Sequence, residues 1–288
     1  NSAKSLKVIG RAGIGVDNID VDRATEKGVV VLNTPDANAT TTAELAIAHI
    51  FSLSRNLPEA DRSVRAGKWE RNKFLGVEIS GKTVGVIGFG TIGRLVAVRC
   101  AGLKMRVLGF DPFVTEDTFK EHTVEKKELE DLLENSDYVT LHCPVTDGTR
   151  QMFSSELFSK MRKGAFLINC ARGELVNEVA LAEALTSGVL AGAAIDVFNQ
   201  EPPTECPLLG LDNVYFTPHL GASTHEAQSA VGVEIAHSIA SYLIRGEVRN
   251  AVNVPNLETD KLQRTQPYTE LGEKLGRLIG SMAKGSIS

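Results

Sequence analysis

The residues of this chain best suited to chemistry fall in four short segments, each placed where an apolar run gives way to glycine or polar side chains. The first is Gly88-Phe89-Gly90-Thr91-Ile92-Gly93, a G-x-G-x-x-G directly after the apolar run 83–87. A first glycine allows a tight turn, a second lets a pyrophosphate approach the backbone, and a third lets a helix close on the strand before it. The helix that follows would offer phosphates its free N–H groups and the positive end of its dipole. Asp111 stands 18 residues beyond Gly93, at the end of the next apolar run. A carboxylate there accepts hydrogen bonds from ribose hydroxyls and repels a 2′-phosphate, so the pattern favours NAD over NADP. The motif speaks for dinucleotide binding and leaves open whether a hydride moves.

The other three segments are Asn169-Cys170-Ala171-Arg172-Gly173, Asp196-Val197-Phe198 followed by Glu201-Pro202-Pro203, and Thr217-Pro218-His219-Leu220-Gly221-Ala222-Ser223. Arg172 offers a planar fork suited to a carboxylate, and His219 an imidazole that exchanges a proton near neutrality. Glu201 could orient and charge that imidazole. Alone, each also reads as a surface ion pair or a structural histidine. Together they are the equipment for moving a proton on a 2-hydroxy acid. Ligands of open α/β sheets bind at the carboxyl ends of strands, so the segments are expected to converge on one cleft.

The elements that must position them follow from periodicity. Short runs rich in Val, Ile and Ala at 83–87, 106–110, 138–142, 165–169, 192–197 and 214–217 alternate with helical patterns at 92–101, 126–134, 154–161 and 177–187. That alternation predicts βαβ units, hence a six-stranded, Rossmann-type doubly wound parallel α/β sheet. Gly164 and Gly188 close the last two helices. Ahead of this, strands at 6–9 and 29–32 flank a short helix that begins near Asp20 and ends at Gly28. Two strands and one helix leave sheet edges and apolar faces uncovered, so they are too little to form a domain and are expected to pack on something absent from the chain. The pattern 42–60, with Leu45, Ile47, Ile50, Phe51, Leu53 and Leu57, predicts one long helix that is apolar over more than one face. Such a helix is buried in a core or in a subunit interface, which points to a homo-oligomer, dimer or tetramer. A further helix is expected at 224–245, then an extended link Val252-Asn253-Val254-Pro255, then an amphipathic tail with Leu271, Leu275, Leu278 and Ile279.

The bulk properties narrow the partners. A formal charge of −5 over 288 residues, without a Lys/Arg block, provides no electrostatic footprint for nucleic acid. Cys100, Cys143, Cys170 and Cys206 form no C-x-x-C pair, so they read as buried thiols in a reducing compartment, with neither a metal site nor a disulfide framework. No apolar run has membrane-spanning length, and Asn1-Ser2-Ala3-Lys4 lacks an apolar signal core and an initiator Met. The expectation is a cytoplasmic protein that acts on a small molecule, with no membrane partner and its N-terminal portion missing.

These four segments resemble the D-2-hydroxyacid dehydrogenase family, and the resemblance covers the chain almost throughout. Arg11-Ala12-Gly13-Ile14-Gly15-Val16-Asp17-Asn18-Ile19-Asp20 and Gly67-Lys68-Trp69-Glu70-Arg71 resemble, more narrowly, the branch of that family whose 2-hydroxy acid carries a phosphate. The resemblance implies NAD as cofactor and Arg172, Glu201 and His219 as the catalytic set. It implies Thr91 and Ile92 at the pyrophosphate with Gly88, Gly90 and Gly93, and Asp111 at the ribose. Cys143, Cys170, Ala171 and Arg172 would line the cofactor, as would Ile14. Asp196 would hold the nicotinamide carboxamide, and His219, Leu220, Gly221 and Ala222 would face the nicotinamide. Arg11, Gly13, Arg172 and His219 would bind the substrate, joined by Arg71 from a partner subunit. Relatives often carry Thr where this chain has Cys143, so a hydroxyl donor is lost there and the backbone remains. Family architecture implies an NAD-binding domain over 36–221 and an incomplete, flavodoxin-like substrate domain from 1–35 and 222–254. An opening βαβα portion would be absent, and 255–288 would start an extra C-terminal domain. A reductase of glyoxylate, hydroxypyruvate or another 2-oxo acid stays open, as does an NAD-binding regulatory scaffold without turnover.

Overall fold

The computed structural model describes residues 3, 5–16 and 18–254, with scattered positions between 268 and 282. Its contacts divide the chain into two units, Asn1–Thr34 with Val233–Ser288, and Pro35–Gly232.

In the smaller unit, β1 (Val8–Gly10) pairs in parallel with β2 (Val30–Leu32). Between them α1 (Val21–Glu26) is capped by Asp20, whose carboxylate accepts the Arg23 N–H at 2.9 Å. The expectation that this segment packs on something absent from the chain is corrected at β2, whose second edge is covered from far along the same chain. Leu32 and Ala251 form an antiparallel bridge, and Val252 donates its N–H to the Val31 carbonyl. The Asn253 amide accepts from Val31 N and donates to the Val29 carbonyl and Thr25 Oγ1. Alternate β2 residues serve opposite faces: Val31 packs with Ala24 and Val29, whereas Val30 and Leu32 pack with Ile235. Ile235 belongs to α9 (His225–Arg245). Leu271, Leu275, Leu278 and Ile279 are helical and exposed. Pro255 and the rest of the expected tail, 256–267 and 283–288, lie outside the described residues, as does Asp17 of the Arg11–Asp20 motif.

The larger unit begins with α2 (Ala39–Arg55) and α3 (Leu57–Arg65). Here the single helix expected over 42–60 is corrected to two. Asn56 adopts a left-handed φ of 52°, which ends α2, and Pro58 sits in the first turn of α3, where its missing N–H costs nothing. Then follow β3 (Thr83–Ile87), α4 (Thr91–Gly102), β4 (Arg106–Phe110), α5 (Glu116–Glu121), β5 (Glu125–Lys126) and α6 (Leu129–Asn135). After these come β6 (Tyr138–Leu141), α7 (Ser155–Ser159), β7 (Ala165–Asn169), α8 (Glu178–Thr186), β8 (Leu190–Ile195) and β9 (Val214–Phe216). The strands form one parallel sheet in the order β5-β4-β3-β6-β7-β8-β9. The doubly wound arrangement is as predicted, with a seventh strand: Glu125 and Lys126 pair with β4, so the helix expected from 126 starts at Leu129. Strand β8 lies two residues earlier than expected, which leaves Asp196 just beyond its carboxyl end.

Alternating strand residues feed two cores, as burial on both faces of a parallel sheet demands. Leu141, Leu167 and Ile195 pack with α6, α7 and α8, and Val86, Ile168 and Ala194 pack with α2 and α4. The buried Tyr138 hydroxyl is satisfied by Ser54 Oγ at 2.8 Å. The opposite side of α2 is less enclosed: Ile47 and Phe51 line an open groove of about 290 Å³ with Glu44, Arg99, Gly102 and Leu103. Among the described residues no helix is long and apolar enough to cross a membrane.

Candidate active site

The strand order reverses between β3 and β6, and the carboxyl ends of these strands form the crevice in which such sheets bind dinucleotides. The chain leaves β3 through Gly88, at φ 91°, against the backbone that leaves β6: a Cβ at Gly88 would stand 2.6 Å from Cys143 N. Gly93 closes the first turn of α4 so tightly that a Cβ there would lie 2.0 Å from the Gly88 carbonyl oxygen. Gly90 is the N-cap of α4 and makes no side-chain capping bond, and the space beside its Cα is open. Free N–H groups at the head of a 12-residue helix, next to open space, fit an anionic pyrophosphate. At this mouth Thr91 Oγ1 donates to Asp36 Oδ1 at 3.2 Å, and Ile92 is half-buried. Asp111 follows β4 with its carboxylate fixed, Oδ2 accepting from Phe89 N and Oδ1 from Phe113 N, each at 2.9 Å. Burial, with a smaller contribution from the Asp111 charge, pushes the Cys143 thiol up to about 11, so it stays protonated at neutral pH. His142 beside it hydrogen-bonds Thr140 Oγ1 at 2.9 Å, and burial drops its pKa to about 3.

The three remaining segments meet at the carboxyl ends of β7, β8 and β9. Asn169 folds the turn after β7: its side chain accepts from Ala171 N and donates to the Arg172 carbonyl. Arg172 Nη1 donates to the Ala171 carbonyl at 2.7 Å, and Cys170 beneath it is buried, which raises its pKa well above the usual thiol value. Asp196 N donates to the Asn169 carbonyl, and the Asp196 carbonyl accepts from His219 N at 2.9 Å. The fully buried Asp196 carboxylate accepts from Leu220 N at 2.7 Å and Gly221 N at 2.9 Å. These bonds hold His219 at φ 54°, a left-handed conformation that costs a residue with a side chain of order 1–3 kcal/mol. Glu201 Oε1 accepts from Phe198 N, and its Oε2 takes Nδ1–H of His219 at 2.7 Å. Both side chains stay partly open to solvent, so the imidazole can meet a ligand. Ala222 follows on the same turn, half-buried.

Two contributors to this turn, Thr42 and His49, carry no role in the sequence reading, and Thr217 stands there only as the head of its segment. Thr217 Oγ1 donates to Asp196 Oδ1 at 2.5 Å, His49 Nε2 lies 3.2 Å from Thr217 Oγ1, and Thr42 Oγ1 donates to the Gly221 carbonyl at 2.9 Å. Thr42 and His49 are seven residues apart on α2, hence on one face, and both are buried. Polar residues at that spacing inside an apolar helix were the available signal. Near them Asn38 Oδ1 is enclosed with no donor among the described residues.

Arg11, Gly13 and Ile14 belong to the smaller unit. Their turn is pinned to 32–34: Arg11 N donates to the Leu32 carbonyl, Gly13 N to Thr34 Oγ1 at 2.8 Å, and Asn33 Nδ2 to the Ile14 carbonyl at 2.8 Å. The Arg11 guanidinium bonds the Ala12 carbonyl, and its Nε is enclosed without a partner among the described residues. Arg71 lies in the larger unit, exposed at the start of a single 3₁₀ turn, Arg71–Phe74.

Residues 47–221 match the family described as D-isomer specific 2-hydroxyacid dehydrogenase, NAD binding domain. The chain is 46% identical over 288 residues to a D-3-phosphoglycerate dehydrogenase of Methanocaldococcus jannaschii, and 47% identical over 287 residues to one of Archaeoglobus fulgidus. Each match covers 99% of this chain, which spans about half the length of these relatives, 55% and 54% respectively. A solved glyoxylate reductase from Paecilomyes thermophila is similar with a TM-score of 0.81 at 33% identity, over 86% of this chain and 75% of that one. With that domain occupying more than half of its residues around a glycine cradle shaped for a pyrophosphate, the chain belongs to the D-isomer specific 2-hydroxyacid dehydrogenases, and its cofactor is NAD.

Proposed function

We propose that the protein oxidises D-3-phosphoglycerate to 3-phosphohydroxypyruvate, the opening reaction of the phosphorylated route to L-serine. The observation that carries the reaction class is the Glu201–His219 pair at 2.7 Å, held on the same sheet edge as the turn that bears Arg172. Identity of 46–47% to relatives named for this activity supports the substrate. His219 has Nδ1 committed to Glu201. Its Nε2 takes the proton of the C2 hydroxyl, and the Glu201 carboxylate stabilises the imidazolium that results. Arg172 clamps the substrate carboxylate and polarises the C2 oxygen. NAD supplies, when bound, the acceptor for the C2 hydride.

In this reading Gly88, Gly90, Thr91, Ile92 and Gly93 hold the pyrophosphate, and Asp111 holds the ribose. Cys143, Cys170, Ala171 and Ile14 line the cofactor, and Leu220, Gly221 and Ala222 face the nicotinamide. Asp196 has both oxygens engaged by the turn, and a remaining lone pair serves the carboxamide. Arg11 and Gly13 take the substrate phosphate with Arg71 of a partner subunit, since Arg172 neutralises only the carboxylate. The pair of chains forms through α2, whose Ile47 and Phe51 line the open groove. We take 36–221 as the NAD-binding domain, 1–35 and 222–254 as parts of the substrate domain, and 255–288 as the start of a further domain.

The test is NADH formation with D-3-phosphoglycerate, set against NADH consumption with glyoxylate and hydroxypyruvate. The likeness to a glyoxylate reductase favours a second reading, reduction of a small 2-oxo acid. Turnover confined to the unphosphorylated acids establishes that reading and removes the phosphate role of Arg11 and Arg71.

A further inference from the structure

We propose that His49 is a positioning residue for His219: from α2 it donates Nε2–H to Thr217, directs the Thr217 hydroxyl at Asp196, and so locks the turn that presents the imidazole. The inference rests on the reading of His219 as the proton-accepting group.

The direction of each bond follows from what each partner can do. An ionised carboxylate only accepts, so the 2.5 Å contact between Thr217 Oγ1 and Asp196 Oδ1 uses the single proton of the hydroxyl. The Thr217 oxygen then has only lone pairs left for His49, and the 3.2 Å contact requires a proton on Nε2. A neutral imidazole carries one N–H, so Nδ1 of His49 is bare. Burial lowers the His49 pKa, with the Asp196 charge opposing, and this keeps the one-proton form at neutral pH.

The chain His49 to Thr217 to Asp196 ends on the turn itself, because the same carboxylate takes the N–H groups of Leu220 and Gly221. Thr42, one heptad before His49, bonds the Gly221 carbonyl. One face of α2 therefore grips the turn on both sides of His219, which sits between them in its left-handed conformation. A side chain in that conformation persists only where its surroundings over-determine it. An apolar residue at 49 would leave the half-buried Thr217 oxygen one donor short and free the hydroxyl to rotate away from Asp196. None of these residues needs to touch the substrate, so the effect of His49 is on where His219 stands.

Long-range ¹H–¹⁵N correlation spectra of the unmodified protein read the His49 tautomer, which is expected to be Nε2–H. His49→Leu is expected to lower kcat for the 2-hydroxy acid about tenfold, the weight of an ordinary buried hydrogen bond, with little change in its KM. The same variant is expected to weaken NADH several-fold while binding ADP-ribose, which lacks the nicotinamide, as the parent does. His49→Gln places an amide N–H near the same point and is expected to recover most of the loss. A proton on Nδ1 overturns the inference, as do unchanged kcat and NADH affinity in His49→Leu. Equal weakening of NADH and ADP-ribose also overturns it, since that marks a merely structural role. Should His49→Leu fail to fold, the tautomer in the parent and the ligand pair with His49→Gln still decide. A parent that binds NADH but turns over no 2-hydroxy acid defeats the proposed function, while the tautomer and the ligand pair continue to test the bond chain.

Discussion

The two ends of the crevice are built by different means. At the phosphate end the site is backbone: a turn at Gly88, a helix head at Gly90, and a contact at Gly93 that leaves no room for a methyl group. At the imidazole end the site is side chains. Asp196, Thr217, Glu201, Thr42 and His49 come from three separate parts of the sequence to hold one turn. A backbone site resists side-chain changes and fails when a Cβ is added, whereas a side-chain site fails one hydrogen bond at a time.

The largest effect is expected where the backbone is closest. Gly93→Ala puts a methyl carbon 2.0 Å from the Gly88 carbonyl, so either the turn or α4 must move. NADH binding by fluorescence titration should be lost, and the melting temperature should fall. Normal binding by this variant would erase the distinction between the two ends. Next comes His219→Gln, which removes the proton acceptor and leaves the glycine cradle untouched. Turnover should drop by roughly 10²–10⁴, the usual share of general acid–base help, with NADH affinity close to that of the parent. Comparable losses in kcat and NADH binding would mean that the His219 side chain anchors the cofactor rather than carrying the chemistry.

Smaller effects sharpen the contrast. Asp111→Ala takes away a carboxylate that the phosphate end fixes through the Phe89 and Phe113 N–H groups. NAD should bind several-fold more weakly, and NADP, no longer repelled, should gain on it in competitive titrations. An unchanged ratio would show that the backbone alone chooses the nucleotide. A different kind of effect is on stability against acid, since each end holds a histidine whose pKa burial lowers, His142 at one and His49 at the other. His142 falls from an ordinary 6.5 to about 3 in the fold, so between those values the unfolded chain holds a proton that the folded chain does not. Its contribution is complete above pH 6.5 and is lost as the pH falls toward 3. Urea midpoints of His142→Phe should therefore decline less steeply from pH 7 to pH 4 than those of the parent. Parallel declines would exclude His142 as the source.

This contrast also explains what could be read in the sequence. The glycine cradle is legible because the backbone geometry permits few residues, and the large sheet because its strands are apolar on both faces and spaced by helices. Strand β5 is not legible because two residues carry no period, and α5 is not legible because Phe119 is the one residue it buries, so no apolar stripe forms. The break between α2 and α3 was marked by Asn56-Leu57-Pro58, but the apolar pattern continues across it and outweighed that signal. The apolar run overshoots the end of β8 by two residues because Val197 and Phe198 are buried in the turn beyond the last sheet bond. At the imidazole end the segments with Arg172, Glu201 and His219 stood out by their polarity after apolar runs. Thr42 and His49 did not, since only the packing of α2 decides what a polar residue in an apolar helix faces.

Strand β2 has one edge completed by a neighbour close in sequence and the other by residues 251–253, with Val31 and Asn253 separated by 222 positions. A ribosome releases every strand of the large sheet before it releases Asn253. The nascent chain therefore carries β2 half paired while the strands of the larger unit emerge, and this edge of the small unit closes after them. Until that closure Val30, Val31 and Leu32, all buried in the finished fold, present an open and apolar strand edge. A polypeptide cut short before residue 251 keeps that edge permanently, in the form that invites pairing between copies, so translational truncation should be more prone to aggregate than any single substitution in the same strand.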